Sequence, residues 1–162
     1  MQQPTAPVFA EPHNLEALVQ NWKAQDLRWV LTNGCFDLLH PGHLRVLSEA
    51  AAQGDRLVVA VNNDASVRRL KGPTRPVQDE NARALVLAAL VWVDAVILFG
   101  QDDPGDLIRR LVPDVLVKGG DYTEDTVVGA ETVRAAGGRV HLVDLLPGHS
   151  TTSLTNQFRK SQ

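Results

Sequence analysis

The segment Leu31–His43, LTNGCFDLLHPGH, joins the end of an apolar run to the start of a helix. Gly34 breaks the run, and Pro41 suits the first turn of a helix. A strand that leads through a turn into a helix N-terminus forms a natural anion site, because free amides and the helix dipole attract negative charge. His40 and His43 are three residues apart and share one helical face, so both rings can point at one phosphate chain. The segment therefore predicts a phosphate site.

The histidine pair also allows two other interpretations. Histidines at a helix start can act as capping or packing residues with no ligand. Two histidines can also ligate zinc, but no glutamate lies between them and Cys35 is the only cysteine of the chain. The pattern thus favours phosphate over metal.

Composition limits the class of protein and the class of partner. With 162 residues, 44% of them apolar and 22% charged, the chain fits one globular domain. A net charge of −3 offers no broad footprint for DNA or RNA, and a small phosphorylated ligand fits better than nucleic acid.

Targeting and redox signals are missing from the sequence. A single cysteine allows no internal disulfide, which favours a reducing compartment. The first 14 residues have no apolar signal region, and the longest apolar tract, Ala84 to Gly100, is interrupted by Asp94. We therefore expect a cytoplasmic protein with no membrane partner.

Apolar runs and helical spacings alternate along the chain. Runs rich in valine, leucine and isoleucine predict strands at 28–32, 57–61, 95–99, 115–117 and 140–143. Helical spacing is found near 15–23, at 44–51, at 107–111 after Pro104, and at 126–136 before a Gly-Gly stop. The alternation predicts an α/β, Rossmann-like open parallel sheet of five strands flanked by helices. We expect residues 1–25 to form a tail with a short helix and residues 26–162 to form the domain.

Ligands of open parallel sheets bind beyond the carboxyl ends of the strands. The segments at these ends are 33–37, 62–64 and 118–122, together with the 147–152 loop before a predicted last helix. Polar and glycine residues collect in these segments, so the site is expected there.

The motifs in these segments resemble a known family. Gly34-Cys35-Phe36-Asp37 followed by His40-x-Gly-His43 resembles the signature of the cytidylyltransferase-like nucleotidyltransferase superfamily, whose members transfer a nucleotidyl group to a phosphate and release pyrophosphate. Later segments narrow the resemblance to the bacterial D-glycero-β-D-manno-heptose 1-phosphate adenylyltransferases. These segments are VNND at 61–64, RLKG at 69–72, RP at 75–76, LVKGGDY at 116–122 and GHSTT at 148–152. The match runs in order from about Trp29 to about Lys160.

The resemblance implies an adenylyltransferase that transfers AMP from ATP to a sugar 1-phosphate, with Mg²⁺ bound through the phosphates and by no protein ligand. It implies catalytic roles for His40, His43 and Lys71, and substrate contacts from Asp37, Asn62 and Arg83. The nucleotide-binding residues that it implies are Asn33, Gly34, Cys35, Phe36, Gly42, Arg75, Lys118, Gly119, Gly120, Asp121, Tyr122, Ser150, Thr151 and Thr152. Relatives suggest a homodimer or higher homo-oligomer, and a separate sugar kinase would supply the acceptor.

Several of these residues have ordinary alternatives. Lys71 and Arg75 are expected in a mobile flap but also fit a solvated basic loop. Arg83 can form a surface ion pair with Asp79 or Glu80, and Asp37 can order the motif instead of contacting a magnesium-bound phosphate. The 118–122 segment also fits a β-turn, and the 150–152 segment also fits a helix N-cap.

Two other functions stay open from the sequence. A glycerol-3-phosphate or related alcohol-phosphate cytidylyltransferase shares the histidine motif and the Ser-Thr-Thr segment, although the Lys118 to Tyr122 segment favours the heptose branch. A non-catalytic nucleotide sensor would keep the glycine loops and could lose His40, His43 or Lys71, all of which are present.

Overall fold

The computed structural model describes residues 5–120 and 122–144. In this part of the chain, six parallel strands form one sheet in the order β1-β4-β3-β2-β5-β6. The strands are β1 (Val8–Phe9), β2 (Trp29–Gly34), β3 (Arg56–Asn62), β4 (Ala95–Phe99), β5 (Val115–Gly119) and β6 (Arg139–Val143). The helices are α1 (Pro12–Ala24), α2 (Pro41–Ala51), α3 (Asp64–Lys71), α4 (Glu80–Ala88), α5 (Gly105–Leu111), α6 (Ala130–Ala135) and a 3₁₀ turn at Glu124–Thr126.

All five predicted strands are present, which confirms the predicted α/β parallel sheet. The sequence did not predict β1, whose two residues pair with Val96 and Ile97 of β4. A two-residue strand is too short to show a period, and it depends on backbone pairing with a distant segment. The sheet therefore has six strands where five were expected.

The segment before residue 26 contributes more to the fold than the sequence predicts. The expected short helix is α1, and its Leu15, Val19 and Trp22 are buried at intervals of three and four residues. These side chains belong to the same apolar cluster as Trp29 and Leu31 of β2. Residues 8–24 are thus part of the sheet and its core.

Helices cover both faces of the sheet. Leu31 of β2 lies in an apolar cluster with residues of α1, α5 and α6. The preceding residue, Val30, lies in a second apolar cluster with residues of α2 and α4. Alternate side chains of a strand point to opposite faces, so each strand contributes to both clusters. This explains the continuous apolar runs in the sequence.

Two predicted elements have different bounds in the structure. The helix expected over 126–136 is confined to Ala130–Ala135, because Gly129 adopts a left-handed φ of 87° and the Glu124–Thr126 turn is closed by its own capping box. Lys71 was expected in a loop but is the last residue of α3, and Gly72 follows it with a φ of 99°. Arg75 does lie in the connection between α3 and α4.

Some predictions fall outside the described residues. Asp121, Ser150, Thr151 and Thr152 are among them, as is the predicted last helix. Within residues 5–120 and 122–144, no helix combines the length and the apolar character needed to cross a membrane.

Candidate active site

The strand order creates a crevice between β2 and β5. From β2 the chain runs outward through β3 and β4 on one side, and β5 and β6 lie on the other side. This reversal is the point at which open α/β sheets bind ligands. Thr32 pairs with Val117, so the next residues, Asn33 and Lys118, lie side by side at the carboxyl edge. The Lys118 Nζ donates a hydrogen bond of 3.1 Å to the Asn33 Oδ1.

A cavity of about 490 Å³ opens at this edge of the sheet. It is lined by Asn33, Gly34, Cys35, Phe36, Asp37, His43, Asn62, Leu70, Lys71, Arg75, Asp102, Lys118 and Tyr122. A smaller hollow of about 210 Å³ adjoins it, and residues such as Val46 and Gly119 contribute to its wall. Most of the predicted site residues within the described part of the chain therefore surround one space, whose size suits a small-molecule ligand.

The histidine pair lies at the start of α2. His40 is the N-cap residue and Pro41 occupies the first turn, and no side chain caps this helix end. The rings of His40 and His43 stack with centroids 3.8 Å apart, and the Phe36 ring lies 5.1 Å from that of His43. His43 lines the cavity, so an anion there would meet both this imidazole and the helix N-terminus.

His43 is a neutral imidazole at neutral pH. Its pKa is lowered to about 4, mainly by burial and further by the neighbouring His40, while the Leu38 backbone opposes part of the shift. Because the ordinary value is 6.5, the ring carries no charge before an anion binds. The chemistry available to His43 is thus hydrogen-bond donation to a phosphate oxygen.

We expect an NMR titration of the His43 ring to give a midpoint near pH 4 in the ligand-free protein. The His40→Gln variant should titrate at a higher pH because the neighbouring charge is removed. The unfolded chain binds more protons than the folded protein between pH 6.5 and pH 4, so His43 lowers stability as the pH falls through this range. A midpoint at or above 6.5 in the wild type would contradict the buried, neutral assignment.

Cationic side chains dominate the charge of the cavity. Lys71, Arg75 and Lys118 line it. Burial lowers the pKa of Lys118, and repulsion by Lys71 adds to the effect, whereas Cys35 opposes it. The two carboxylates of the lining, Asp37 and Asp102, already pair with arginines. This excess of positive charge suits an anionic ligand.

Asp37 lines the cavity and holds the connection between α3 and α4. Its side chain is 1% exposed and accepts hydrogen bonds from the Arg75 Nε, the Val77 amide and the Gln78 amide. Burial would raise the pKa of Asp37, but the Gln78, Val77 and Arg75 hydrogen bonds outweigh it, and the pKa lies below its ordinary value. The geometry favours the ordering role of Asp37 over direct contact with substrate.

Arg83 is a buried structural group and not the surface ion pair that the sequence also allowed. It is 1% exposed, and its partner in the ion pair is Asp64, at 2.8 Å, instead of Asp79 or Glu80. The remaining guanidinium hydrogen bonds go to the backbone oxygens of Cys35, Asn62 and Gln78. Arg83 thus joins the ends of β2 and β3 to the start of α4, and the geometry favours positioning over the predicted substrate contact.

Asn62 also has protein partners. It is 3% exposed, and its Nδ2 donates to the Ser66 Oγ at 2.9 Å and to the Gln101 oxygen at 3.3 Å. It reaches the cavity wall while it fixes the start of α3. Its side chain can therefore offer a ligand its oxygen more readily than its nitrogen.

The end of β5 packs against α2 with no space for a side chain. Gly119 is the last residue of β5, and a Cβ added to it would lie 2.4 Å from a Val46 methyl carbon. Gly120 follows with a φ of 126°, and Tyr122 places its ring 5.4 Å from the Lys118 Nζ. The loop predicted to bind nucleotide thus borders both hollows, and Asp121 lies outside the described residues.

We expect Gly119→Ala to lower activity about tenfold or more, because the new methyl group would overlap a Val46 methyl group and force the stiff Val46 side chain, or α2 with its His43, to shift. The Gly119→Ala/Val46→Ala double variant should recover most of the lost activity, since it removes the methyl group in conflict. Pyrophosphate release by the two variants and the wild type measures both effects. Unchanged activity in the single variant would show that the contact does not position α2.

The described side chains of the site include few groups that could ligate a metal ion. Within residues 5–120 and 122–144, no three His, Cys, Asp or Glu side chains converge in a way that could hold a metal ion. Asp37 and Asp102 are the carboxylates of the cavity wall, and both are engaged by arginines.

Another hollow of about 530 Å³ lies at the opposite, amino edge of the sheet. Its wall includes Asp55 and Asp114, whose carboxylates accept the backbone amides of Arg28 and Trp29 at 2.8 Å and 2.9 Å. These acids are used to hold the start of β2. This hollow is slightly larger than the cavity at the carboxyl edge, but its acidic side chains already bind backbone amides. The cavity at the carboxyl edge is therefore the candidate site.

Leu70 and Asp102 line the cavity and were not predicted. Asp102 follows β4 and pairs with Arg69 at 2.7 Å. The rule that ligands bind after the strands could have identified the segment after β4, since that strand was predicted with its correct bounds. Leu70 carries no such signal, because an apolar residue in a helix usually belongs to the core.

Comparison with known proteins agrees with this geometry. A model of the family described as cytidylyltransferase-like matches residues 31–153. The chain belongs to the cytidylyltransferase-like family. This membership makes it a nucleotidyltransferase and confirms the superfamily that the histidine motif indicated.

Relatives within the cytidylyltransferase-like family are similar over most of the chain. Bifunctional protein HldE of Azorhizobium caulinodans is 61% identical over 88% of this chain and 30% of its own length. Bifunctional protein HldE of Bradyrhizobium diazoefficiens is 59% identical over 94% of this chain and 31% of its own length. The chain thus spans about a third of the length of these relatives.

Two solved structures share the fold. A lipopolysaccharide core biosynthesis protein from Thermoplasma volcanium is 31% identical, with a TM-score of 0.60 over 74% of this chain and 97% of its own. Pantoate-beta-alanine ligase from Francisella tularensis is 12% identical, with a TM-score of 0.62 over 95% of this chain and 77% of its own. The second likeness concerns the fold alone and supports the Rossmann-like assignment.

Proposed function

We propose that this nucleotidyltransferase transfers AMP from ATP to a sugar 1-phosphate, D-glycero-β-D-manno-heptose 1-phosphate in particular, and forms ADP-heptose and pyrophosphate. The ordered motifs that resemble heptose 1-phosphate adenylyltransferases support the acceptor. The relatives named HldE and the lipopolysaccharide core biosynthesis protein support the same branch of the family.

The observation that carries the proposal is the charge of the cavity around His43. Lys71, Arg75 and Lys118 line it, against two carboxylates. Asp37 pairs with Arg75, and Asp102 pairs with Arg69 from outside the lining, so positive charge is in excess. Such a cavity repels cations and attracts a triphosphate and a second phosphate together. It is placed at the N-terminus of α2, where backbone amides add to the attraction.

The proposed reaction is an in-line displacement at the α-phosphorus of ATP. A sugar phosphate has a second pKa of about 6, so the acceptor is largely a dianion at neutral pH and needs no general base. Its oxygen forms a bond to the α-phosphorus while the bond from that phosphorus to the bridging oxygen breaks, and pyrophosphate leaves. The protein must therefore orient two anions that repel each other and stabilise the charge that moves to the leaving group.

The residues of the cavity divide this work. The neutral imidazole of His43 donates a hydrogen bond to an α-phosphate oxygen, with His40 stacked against its ring. Lys71 ends α3 at the cavity and is placed for the charge of the leaving group, and Lys118 lies in the crevice between β2 and β5. Mg²⁺ bound to the triphosphate would supply further charge neutralisation, held by phosphate oxygens.

The proposed acceptor and donor indicate which reaction must come first and where the enzyme acts. A sugar 1-phosphate must be supplied by a kinase reaction, and the proposal includes a separate sugar kinase that acts first. ATP as donor and a single cysteine are consistent with a cytoplasmic site of action. A homodimer or larger homo-oligomer is proposed by likeness to the family.

The test is pyrophosphate release from purified protein with Mg²⁺, ATP or CTP, and a panel of acceptors. We expect turnover with ATP and heptose 1-phosphate. Turnover with CTP and glycerol 3-phosphate, but not with ATP and the heptose, would replace this proposal with the cytidylyltransferase alternative. Nucleotide binding without turnover on any acceptor would favour a sensor.

A further inference from the structure

Asp37 and Arg75 form an ion pair that joins two separate parts of the site. Asp37 belongs to the loop after β2, and Arg75 belongs to the connection between α3 and α4. The Asp37 Oδ2 accepts a hydrogen bond of 2.6 Å from the Arg75 Nε, and the side chains are 1% and 18% exposed. The pair is therefore largely shielded from water. A shielded ion pair is stronger and better oriented than an ion pair on the surface.

The carboxylate of Asp37 also fixes the backbone beside Arg75. Its Oδ1 accepts the Val77 and Gln78 amides at 2.8 Å and 3.0 Å. The oxygen of Gln78 in turn accepts a hydrogen bond from the buried Arg83. Arg75 is thus held at its side chain and at the chain that follows it, so its guanidinium has one favoured orientation.

The outer end of this guanidinium is left for a ligand. Within residues 5–120 and 122–144, the hydrogen bond of the Arg75 side chain is made through Nε, and its two Nη atoms donate to no protein group. Arg75 lines the same cavity as His43, Lys71 and Lys118. A planar group with two parallel donors on its outer edge matches two oxygens of one phosphate.

We propose that Asp37 is a positioning residue that acts through Arg75: by holding Nε, it directs the two Nη atoms of Arg75 to a phosphate of the bound nucleotide. The inference rests on the proposed function and assigns to Asp37 a role other than contact with substrate or metal. It explains why a cationic site keeps a buried carboxylate. Asp37 orients Arg75, and Lys71 and Lys118 keep the net charge of the cavity positive.

A double-variant cycle tests this inference by the binding of inorganic tripolyphosphate, measured by calorimetry, and by pyrophosphate release. Arg75→Ala should weaken tripolyphosphate binding about 10- to 100-fold, the usual effect of losing hydrogen bonds to a charged group. Asp37→Asn should weaken it by a similar factor, and the double variant should bind no worse than Arg75→Ala alone. Asp114→Asn is the matched control, because Asp114 accepts a backbone amide at the opposite edge of the sheet.

Rescue by a small cation separates positioning from a purely structural role. Added methylguanidinium should restore part of the activity of Arg75→Ala, because Asp37 is still present to hold it, and should not restore the double variant. Arg75→Lys should stay impaired, since an ammonium cannot bond Asp37 and a phosphate through one rigid fork. If Asp37→Asn does not fold, Asp37→Glu takes its place in the cycle, because it keeps the charge but moves the carboxylate away from the Arg75 Nε; it should weaken tripolyphosphate binding in the wild type and not in Arg75→Ala.

The results that overturn the inference are distinct from those that overturn the function. Equal losses from Asp37→Asn in the wild type and in Arg75→Ala would show that Asp37 acts independently of Arg75. Unchanged tripolyphosphate binding in Arg75→Ala would remove the phosphate contact itself. Absence of turnover by the wild type on every acceptor overturns the proposed function, while the tripolyphosphate measurements still test the ion pair.

Discussion

Replacing His43 with alanine should lower the turnover number at least about a hundredfold while the protein stays folded. His43 lies at the first turn of α2, lines the cavity and is neutral. In the proposed reaction it donates a hydrogen bond that strengthens as charge develops on the α-phosphate. Losing one such donor costs about two to three orders of magnitude in typical enzymes. Pyrophosphate release with ATP and heptose 1-phosphate measures the effect.

The control for this prediction is His13→Ala, which removes an imidazole from α1, outside the residues that line the cavity. This variant should retain the activity of the wild type. Circular dichroism and thermal unfolding of both variants would show that the fold is kept. Near-normal turnover in His43→Ala would refute the role assigned to this histidine.

Replacing Arg83 with methionine should lower the free energy of unfolding by about 3–5 kcal/mol, the usual cost of removing one member of a buried ion pair. The loss leaves the Asp64 carboxylate without its partner and leaves the oxygens of Cys35, Asn62 and Gln78 without their hydrogen bonds from the guanidinium. Urea unfolding of the variant and the wild type gives the difference.

Arg45→Met is the matched control for stability. Arg45 pairs with Glu49 on the surface of α2, and its side chain is 40% exposed, so its loss should change the free energy of unfolding by about 0.5 kcal/mol or less. If Arg83→Met unfolds like the wild type yet raises the KM for the acceptor, Arg83 contacts substrate as the family resemblance implied. We expect instead that Arg83→Met lowers the free energy of unfolding far more than Arg45→Met does.

The strands and the histidine motif could be predicted because they are local. An apolar run such as Ala95–Phe99 reports burial on both faces, and the predicted bounds of β4 match the structure. Helix bounds were less accurate where backbone conformation intervened, as at Gly129, whose left-handed φ shortens the predicted 126–136 helix. The strand β1 could not be predicted, since it depends on pairing with a segment almost ninety residues away.

The sequence predicted which residues surround the cavity better than it predicted the contacts of each side chain. Lys71 was expected to close on phosphates, and Arg75 and Lys118 were expected to bind the nucleotide; all three line the cavity. Asp37, Asn62 and Arg83 were selected from the same motifs, yet they bind mainly other protein groups. A polar residue near a site can bind the ligand or can hold other parts of the protein in place. Only its hydrogen-bond partners in the structure distinguish these two roles.

The sequence by itself determined the parallel α/β class, the edge of the sheet that carries the site, and the family, because periodicity, glycine breaks and motif order are local properties of the chain. Tertiary structure alone decided that β2 and β5 are neighbours, that His43 is neutral, and that Arg83 and Asp37 are buried. These properties depend on burial and on pairings between distant residues. The segment at 31–43 thus predicted a phosphate site, and the packing around it decided which of its neighbours line the cavity.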